Sequence, residues 1–193
     1  RVGSVFQNPK SQFFNLTSID ELAFGLEAAG VDAEVIERRV GETVRALRAE
    51  RLRDRDVTKM SGGEKQSLVF ASVDAMGPDV YVLDEPTANL DAEAARILHD
   101  HVASILARGK TVIVAEHRLH FMADLVDRAL LVEGGRIVRE LAPDELRALP
   151  ASERERLGLR AVDPADVLAL RCPPAPRPTR ALLERGLSLR GFS

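Results

Sequence analysis

An apolar run that ends in two adjacent carboxylates, Val80-Tyr-Val-Leu-Asp84-Glu85, is the stretch of this chain best suited to chemistry. Such a run predicts a buried strand, which would deliver Asp84 to its mouth as a ligand for Mg²⁺ and Glu85 beside it to orient or deprotonate an attacking water. One carboxylate would serve the metal and the other the water, the division of labour that metal-assisted phosphoryl transfer needs. Taken alone the pattern is also how any buried strand ends before a solvated turn. The neighbouring segments decide between these readings.

Upstream lies Lys59-Met-Ser61-Gly62-Gly63-Glu64-Lys-Gln66. Two glycines after a serine let backbone amides approach an anion closely, and the apolar Leu68-Val69-Phe70 that follows predicts a helix whose N-terminal dipole favours phosphate. An ordinary serine-capped helix after a flexible turn gives the same residues. Downstream, Thr111-Val-Ile-Val-Ala115 lacks polar alternation and predicts a parallel strand covered on both faces, with His117 just past its end, within reach of a γ-phosphate. His99, His101 and His120 read as satisfied surface residues.

The order of these segments resembles the ATP-binding cassette (ABC) ATPases, from the first residues to about Leu149. By that resemblance Gln7, in Val5-Phe-Gln-Asn-Pro9, is the Q-loop glutamine, which senses nucleotide and joins Asp84 at the metal. Ser61, Gly62, Gly63 and Glu64 form the signature that clamps the ATP of an opposing cassette. Asp84 and Glu85 are the Walker B aspartate and catalytic glutamate, Asp91 in Asn89-Leu90-Asp91 is the D-loop aspartate, and His117 is the switch histidine. Gln12 and Phe13 after the Q-loop, together with Ser-Gly-Gly-Glu-Lys-Gln, most resemble the energy-coupling factor group, which drives uptake of vitamins and transition-metal ions. Ser67 departs from that group's frequent arginine, and Met60 replaces the usual leucine at little change of volume.

The resemblance implies an α/β fold: a P-loop NTPase-type parallel sheet with a helical subdomain. It also implies ATP and Mg²⁺ as cofactors, a second ABC ATPase domain as partner, and membrane subunits for coupling and substrate binding. The location would be peripheral, on the cytoplasmic face of the membrane, with no nucleic acid involved. The phosphate loop G-x-x-x-x-G-K-[ST], the family's Walker A, does not occur in these residues. The chain therefore reads as truncated at its N-terminal side, and as inactive by itself although its complete parent would be an ATPase. Two alternatives stay open: a soluble tandem ABC ATPase of translation or DNA repair, and a catalytically inert fragment. Repair relatives carry long coiled coils in this region, and no sustained heptads occur here.

The elements that must position these residues can be sketched from pattern. Ser18-Ile-Asp-Glu21 has capping-box spacing and predicts a helix carrying Leu22, Phe24 and Leu26. Ile36, Val40, Val44 and Leu47 form one apolar stripe, and the arginine-rich run 45–55 reads as a solvated helix face. Phe13 and Phe14 belong either to the core or to the groove that, by resemblance, receives a membrane subunit's coupling helix. Residues 92–106 read as a helix, and 129–132 with 137–140 as a hairpin around Gly134-Gly135. By the same resemblance, residues 1–150 are expected to form a partial ABC ATPase domain and 151–180 a helical and proline-rich linker with Arg171-Cys-Pro-Pro-Ala-Pro-Arg-Pro178, while 181–193 read either as the first strand of a second ABC domain in a tandem chain or as a floppy C-terminal tail.

Composition supports a globular chain. It has 193 residues, 45% hydrophobic content and a formal net charge of −3, which exclude a strongly basic nucleic-acid binder. No apolar run has membrane-spanning length, and the single Cys172 cannot form an internal disulfide.

Overall fold

The computed structural model describes residues 1–88 and 90–159. Among the described residues, three parallel strands form the central sheet in the order β1 (Val2–Val5), β2 (Val80–Asp84) and β3 (Thr111–Ala115). Val5 stands beside Leu83, and Asp84 beside Ala115, so the three strands end together and their C-terminal loops share one edge. Ligands of parallel α/β sheets collect at that edge.

Between β1 and β2 lie the helices α1 (Ser18–Ala28), α2 (Ala33–Ala46) and α3 (Gly62–Ala75). α3 is the hub: Leu68, Val69, Phe70 and Ala71 are all at most 1% exposed, because α1, α2, β1 and the later helix α4 (Ala92–Ala107) close round it. The predicted stripe on α2 is present, with Val40, Val44 and Leu47 buried and Ile36 packed against the same core. Leu22 and Leu26 are buried, whereas Phe24 points outward and stacks on the exposed Phe14 at 4.8 Å between ring centroids. The two phenylalanines after the Q-loop thus divide, Phe13 packing on the core and Phe14 remaining exposed.

Four local readings are corrected. The cap of α1 is Thr17, whose side chain accepts from the Asp20 N–H, and not Ser18. Ser18 is buried and its hydroxyl accepts from the Arg55 N–H, while the Glu21 carboxylate accepts from the N–H groups of Phe14 and Asn15. The arginine-rich run is no helix face either, because α2 stops at Ala46 and the chain continues through turns, with Arg48 and Asp54 at positive φ and Ala49 and Leu52 buried between charges. His101 is not at the surface: it is 4% exposed, stacks on Phe70, and its Nε2 bonds the Leu47 carbonyl, tying α4 to the end of α2. Among the described residues β3 is not covered on both faces, since Thr111, Ile113 and Ala115 share one face and are exposed, Ile113 at 55%.

The hairpin is as expected. β4 (Ala129–Glu133) and β5 (Arg136–Leu141) pair antiparallel around Gly134 and Gly135, both at positive φ as a two-residue hairpin turn requires. The short helices α5 (Pro143–Arg147) and α6 (Ala151–Arg156) follow, and Leu141, Leu146 and Leu149 form a small core with Ala123. The proline-rich linker after α6, Cys172 and the strand expected in 181–193 lie outside the described residues.

Candidate functional site: a carboxylate held between a glutamine and a histidine

Glu85 follows the last residue of β2, where the chain must leave the sheet abruptly. It adopts φ 42°, a left-handed conformation costly for a residue with a Cβ, and its N–H donates to the Ala115 carbonyl at 2.8 Å. That bond fastens the turn to the end of β3, and the conformation points the side chain along the shared edge. There the Gln7 Nε2 donates to Glu85 Oε2 at 2.8 Å, and His117 Nδ1 lies 3.8 Å from Glu85 Oε1. Asp84 sits exposed at the tip of β2. Four residues chosen from three separate segments of sequence therefore occupy one edge of the sheet.

Hard oxygen donors suit Mg²⁺, and this edge offers the Asp84 carboxylate and the Gln7 amide oxygen. Among the described residues no group of three or more His, Cys, Asp or Glu side chains is placed to hold a metal. The donor set accordingly fits an ion that would complete its shell with phosphate oxygens and water.

The serine-glycine segment stands apart from this edge, across a groove of about 550 Å³ walled by Gln7, Lys10, Gly62, Lys65 and Pro86 among others. Ser61 caps α3, its hydroxyl accepting from the Glu64 N–H at 3.2 Å while Glu64 Oε2 accepts from the Ser61 N–H at 2.8 Å. The helix therefore starts at Gly62, ahead of the apolar residues that announced it. The bond from the Ser61 N–H holds the Glu64 carboxyl below its ordinary range, and Arg55 adds to this at 3.4 Å. Ser61 and Gly62 remain exposed. Gly63 has a second reason to be glycine, because a Cβ there would meet the Ala94 Cβ at 2.7 Å. Asp91 caps α4 by accepting from the Ala94 N–H at 2.8 Å.

The largest omission of the sequence reading is Glu116. It lies in the motif Ala115-Glu-His-Arg118, and its side chain is only 3% exposed. Oε2 accepts from the Thr87 hydroxyl at 2.6 Å and the Thr87 N–H at 3.3 Å, and Oε1 accepts from the N–H groups of His117 and Arg118, both at 2.9 Å. Burial pushes its pKa up, but the hydrogen bonds from Thr87, Arg118 and His117 together outweigh burial and leave it lowered. The only signal in the sequence was a carboxylate directly before the histidine.

Comparisons with known proteins bear on the fold that carries these residues. Residues 1–88 match the family model described as ABC transporter. The solved structure of cbiO1 from Clostridium perfringens, part of the ABC transporter complex cbiONQ, superposes with a TM-score of 0.70 at 28% identity, over 80% of this chain and 61% of that one. The chain has the fold of an ABC transporter ATP-binding domain. An ABC transporter ATP-binding protein of Treponema denticola is 40% identical over 168 residues, 87% of this chain and 34% of the relative. One of Pyrococcus abyssi is 40% identical over 161 residues, 83% of this chain and 57% of the relative. The chain spans about a third of the length of the Treponema denticola relatives it matches. No helix among the described residues is long and apolar enough to cross a membrane.

Proposed function

We propose that this chain is the hydrolytic part of an ABC importer's ATPase, of energy-coupling factor type, powering uptake of a vitamin or a transition-metal ion. The observation that carries the reading is Glu85 gripped by Gln7 and flanked by His117 at the shared edge of β1, β2 and β3. Similarity to cbiO1, part of an ABC transporter complex, supports an importer with membrane partners.

In this reading Glu85 is the general base that takes a proton from the attacking water, and His117 is placed to contact the γ-phosphate. Mg²⁺, held by Asp84 and the Gln7 amide oxygen, would neutralise charge on the phosphates. The 2.8 Å bond between Gln7 and Glu85 joins the loop after β1 to the base, so a movement of that loop would alter the base's position. Ser61 and Gly62, both exposed, together with Gly63 behind them, would serve an opposing cassette's nucleotide and not the one beside Glu85. Glu64 would support them through its bond to Ser61. Asp91 would act across the same interface from the start of α4. The second cassette would lie in the same polypeptide or in a partner, and both would sit peripherally on the cytoplasmic face of the membrane, bound to coupling and substrate-binding subunits.

The test uses the full-length protein, with its membrane subunits, in vesicles. ATP-dependent uptake of a vitamin or a transition-metal ion is the expected result, with no turnover from the 193-residue chain alone because it lacks a G-x-x-x-x-G-K-[ST] loop. ATP hydrolysis that responds to ribosomes or DNA, and not to membrane subunits, would overturn the importer reading.

A further inference from the structure

Thr87 is fully buried two residues after Glu85, and each of its polar groups is engaged by the loop that carries His117. Its hydroxyl and N–H donate to Glu116 Oε2, and its carbonyl accepts from Arg118 Nη1 at 2.7 Å. Arg118 is steadied in turn by the Phe121 ring, with its guanidinium carbon 4.7 Å from the ring centroid. The other Glu116 oxygen takes the backbone N–H groups of His117 and Arg118. One carboxylate thus closes four bonds, two on each side of the gap between the loops.

We propose that Glu116 is a positioning residue whose carboxylate, with Arg118, fastens Thr87 and thereby sets the orientation of Glu85 relative to His117. The inference rests on the reading of Glu85 and His117 as the hydrolytic pair, and deepens it. The lever arms are short, two residues from Thr87 to Glu85 and none between Glu116 and His117. A carboxylate is required because each of its oxygens faces two donors. A glutamine amide keeps one accepting oxygen and turns an NH₂ group towards the other pair. A hydroxyl is required at position 87 for the same reason. The bond from the Glu85 N–H to Ala115 would hold the turn at its base without the clasp, so loosening should shift side chains more than it unfolds the loops.

The test is steady-state ATP hydrolysis by the full-length protein carrying Glu116→Gln, Thr87→Val, Thr87→Ser or the Glu116→Gln/Thr87→Val pair. A displaced base costs turnover and not nucleotide binding, so kcat should fall about tenfold to a hundredfold in Glu116→Gln and Thr87→Val, with KM for ATP within about twofold of the wild type. Thr87→Ser should recover most of the loss seen in Thr87→Val, and the double variant should be no worse than the poorer single. Amide exchange at residues 116–118 should quicken in Glu116→Gln. Should that variant not fold, Thr87→Val tests the clasp with the carboxylate left in place. Wild-type turnover in both single variants would overturn the inference, as would a loss confined to KM or losses that multiply in the pair. A wild-type protein that hydrolyses no ATP would instead remove the functional reading, and the clasp's role with it.

Discussion

Replacing Gly63 with alanine tests whether the signature glycine is held by packing. The new Cβ would lie 2.7 Å from the Ala94 Cβ, against at least 3.4 Å for ordinary contact. Neither atom has a rotamer to escape into, so α3 and α4 must part by several tenths of an ångström. Overpacking of this kind costs about 1–3 kcal/mol. Alanine returns up to about 1 kcal/mol of helix propensity, and less this close to the helix start, leaving a net loss of about 1–2 kcal/mol. For a chain of this size that lowers the unfolding midpoint by about 2–8 °C. Ala94→Gly alone should cost up to about 1 kcal/mol, and less because Ala94 is the third residue of α4. Combined, the two should relieve the clash, giving a favourable coupling of about 1–3 kcal/mol in a double-mutant cycle read by urea unfolding. Losses that add to within about 0.5 kcal/mol would refute the packing argument and return Gly63 to a purely ligand-facing role.

Two further outcomes follow from buried polar groups. Burial first of all lowers the His101 pKa, so the unfolded chain binds the proton more readily; stability should be full above pH 6.5 and fall as the pH drops below it, and His101→Phe should flatten that slope in urea midpoints measured across pH 5–7.5. Asp74 is 4% exposed and binds Arg108 at 2.7 and 3.2 Å as well as the Tyr81 hydroxyl, so Asp74→Ala should destabilise by about 3 kcal/mol, the low end for a broken buried pair because Arg108 reaches solvent; an unchanged urea midpoint would contradict this.

Much of this architecture could be read from pattern because the responsible forces are local. The strands Val80–Asp84 and Thr111–Ala115, the stripe on α2 and the Gly134-Gly135 turn each follow from periodicity or from a backbone requirement. The cap of α1 slipped by one residue because Thr17 and Ser18 are both competent caps, and only the Arg55 N–H, 37 positions away, decides which one turns inward. The run 45–55 misled for a related reason: its charges are exposed, but buried Leu47, Ala49 and Leu52 break the helical period between them. His101 looked like any helix-surface histidine until the Leu47 carbonyl appeared beside it. Glu116 shows the same limit at the site itself. Residue types announced Glu85 and His117, but the carboxylate between them gains its meaning from Thr87, which is distant in sequence and adjacent in space.

The central claim is that Glu85 performs hydrolysis and not nucleotide binding. The most direct measurement is ATP binding and ATP turnover by the full-length protein carrying Glu85→Gln, with any second cassette's own base silenced. The expected result is ATP affinity within about threefold of the wild type and turnover reduced by about a hundredfold or more, since an amide cannot accept the water's proton. Turnover that persists at the wild-type rate would contradict the account and remove Glu85 from the role of base.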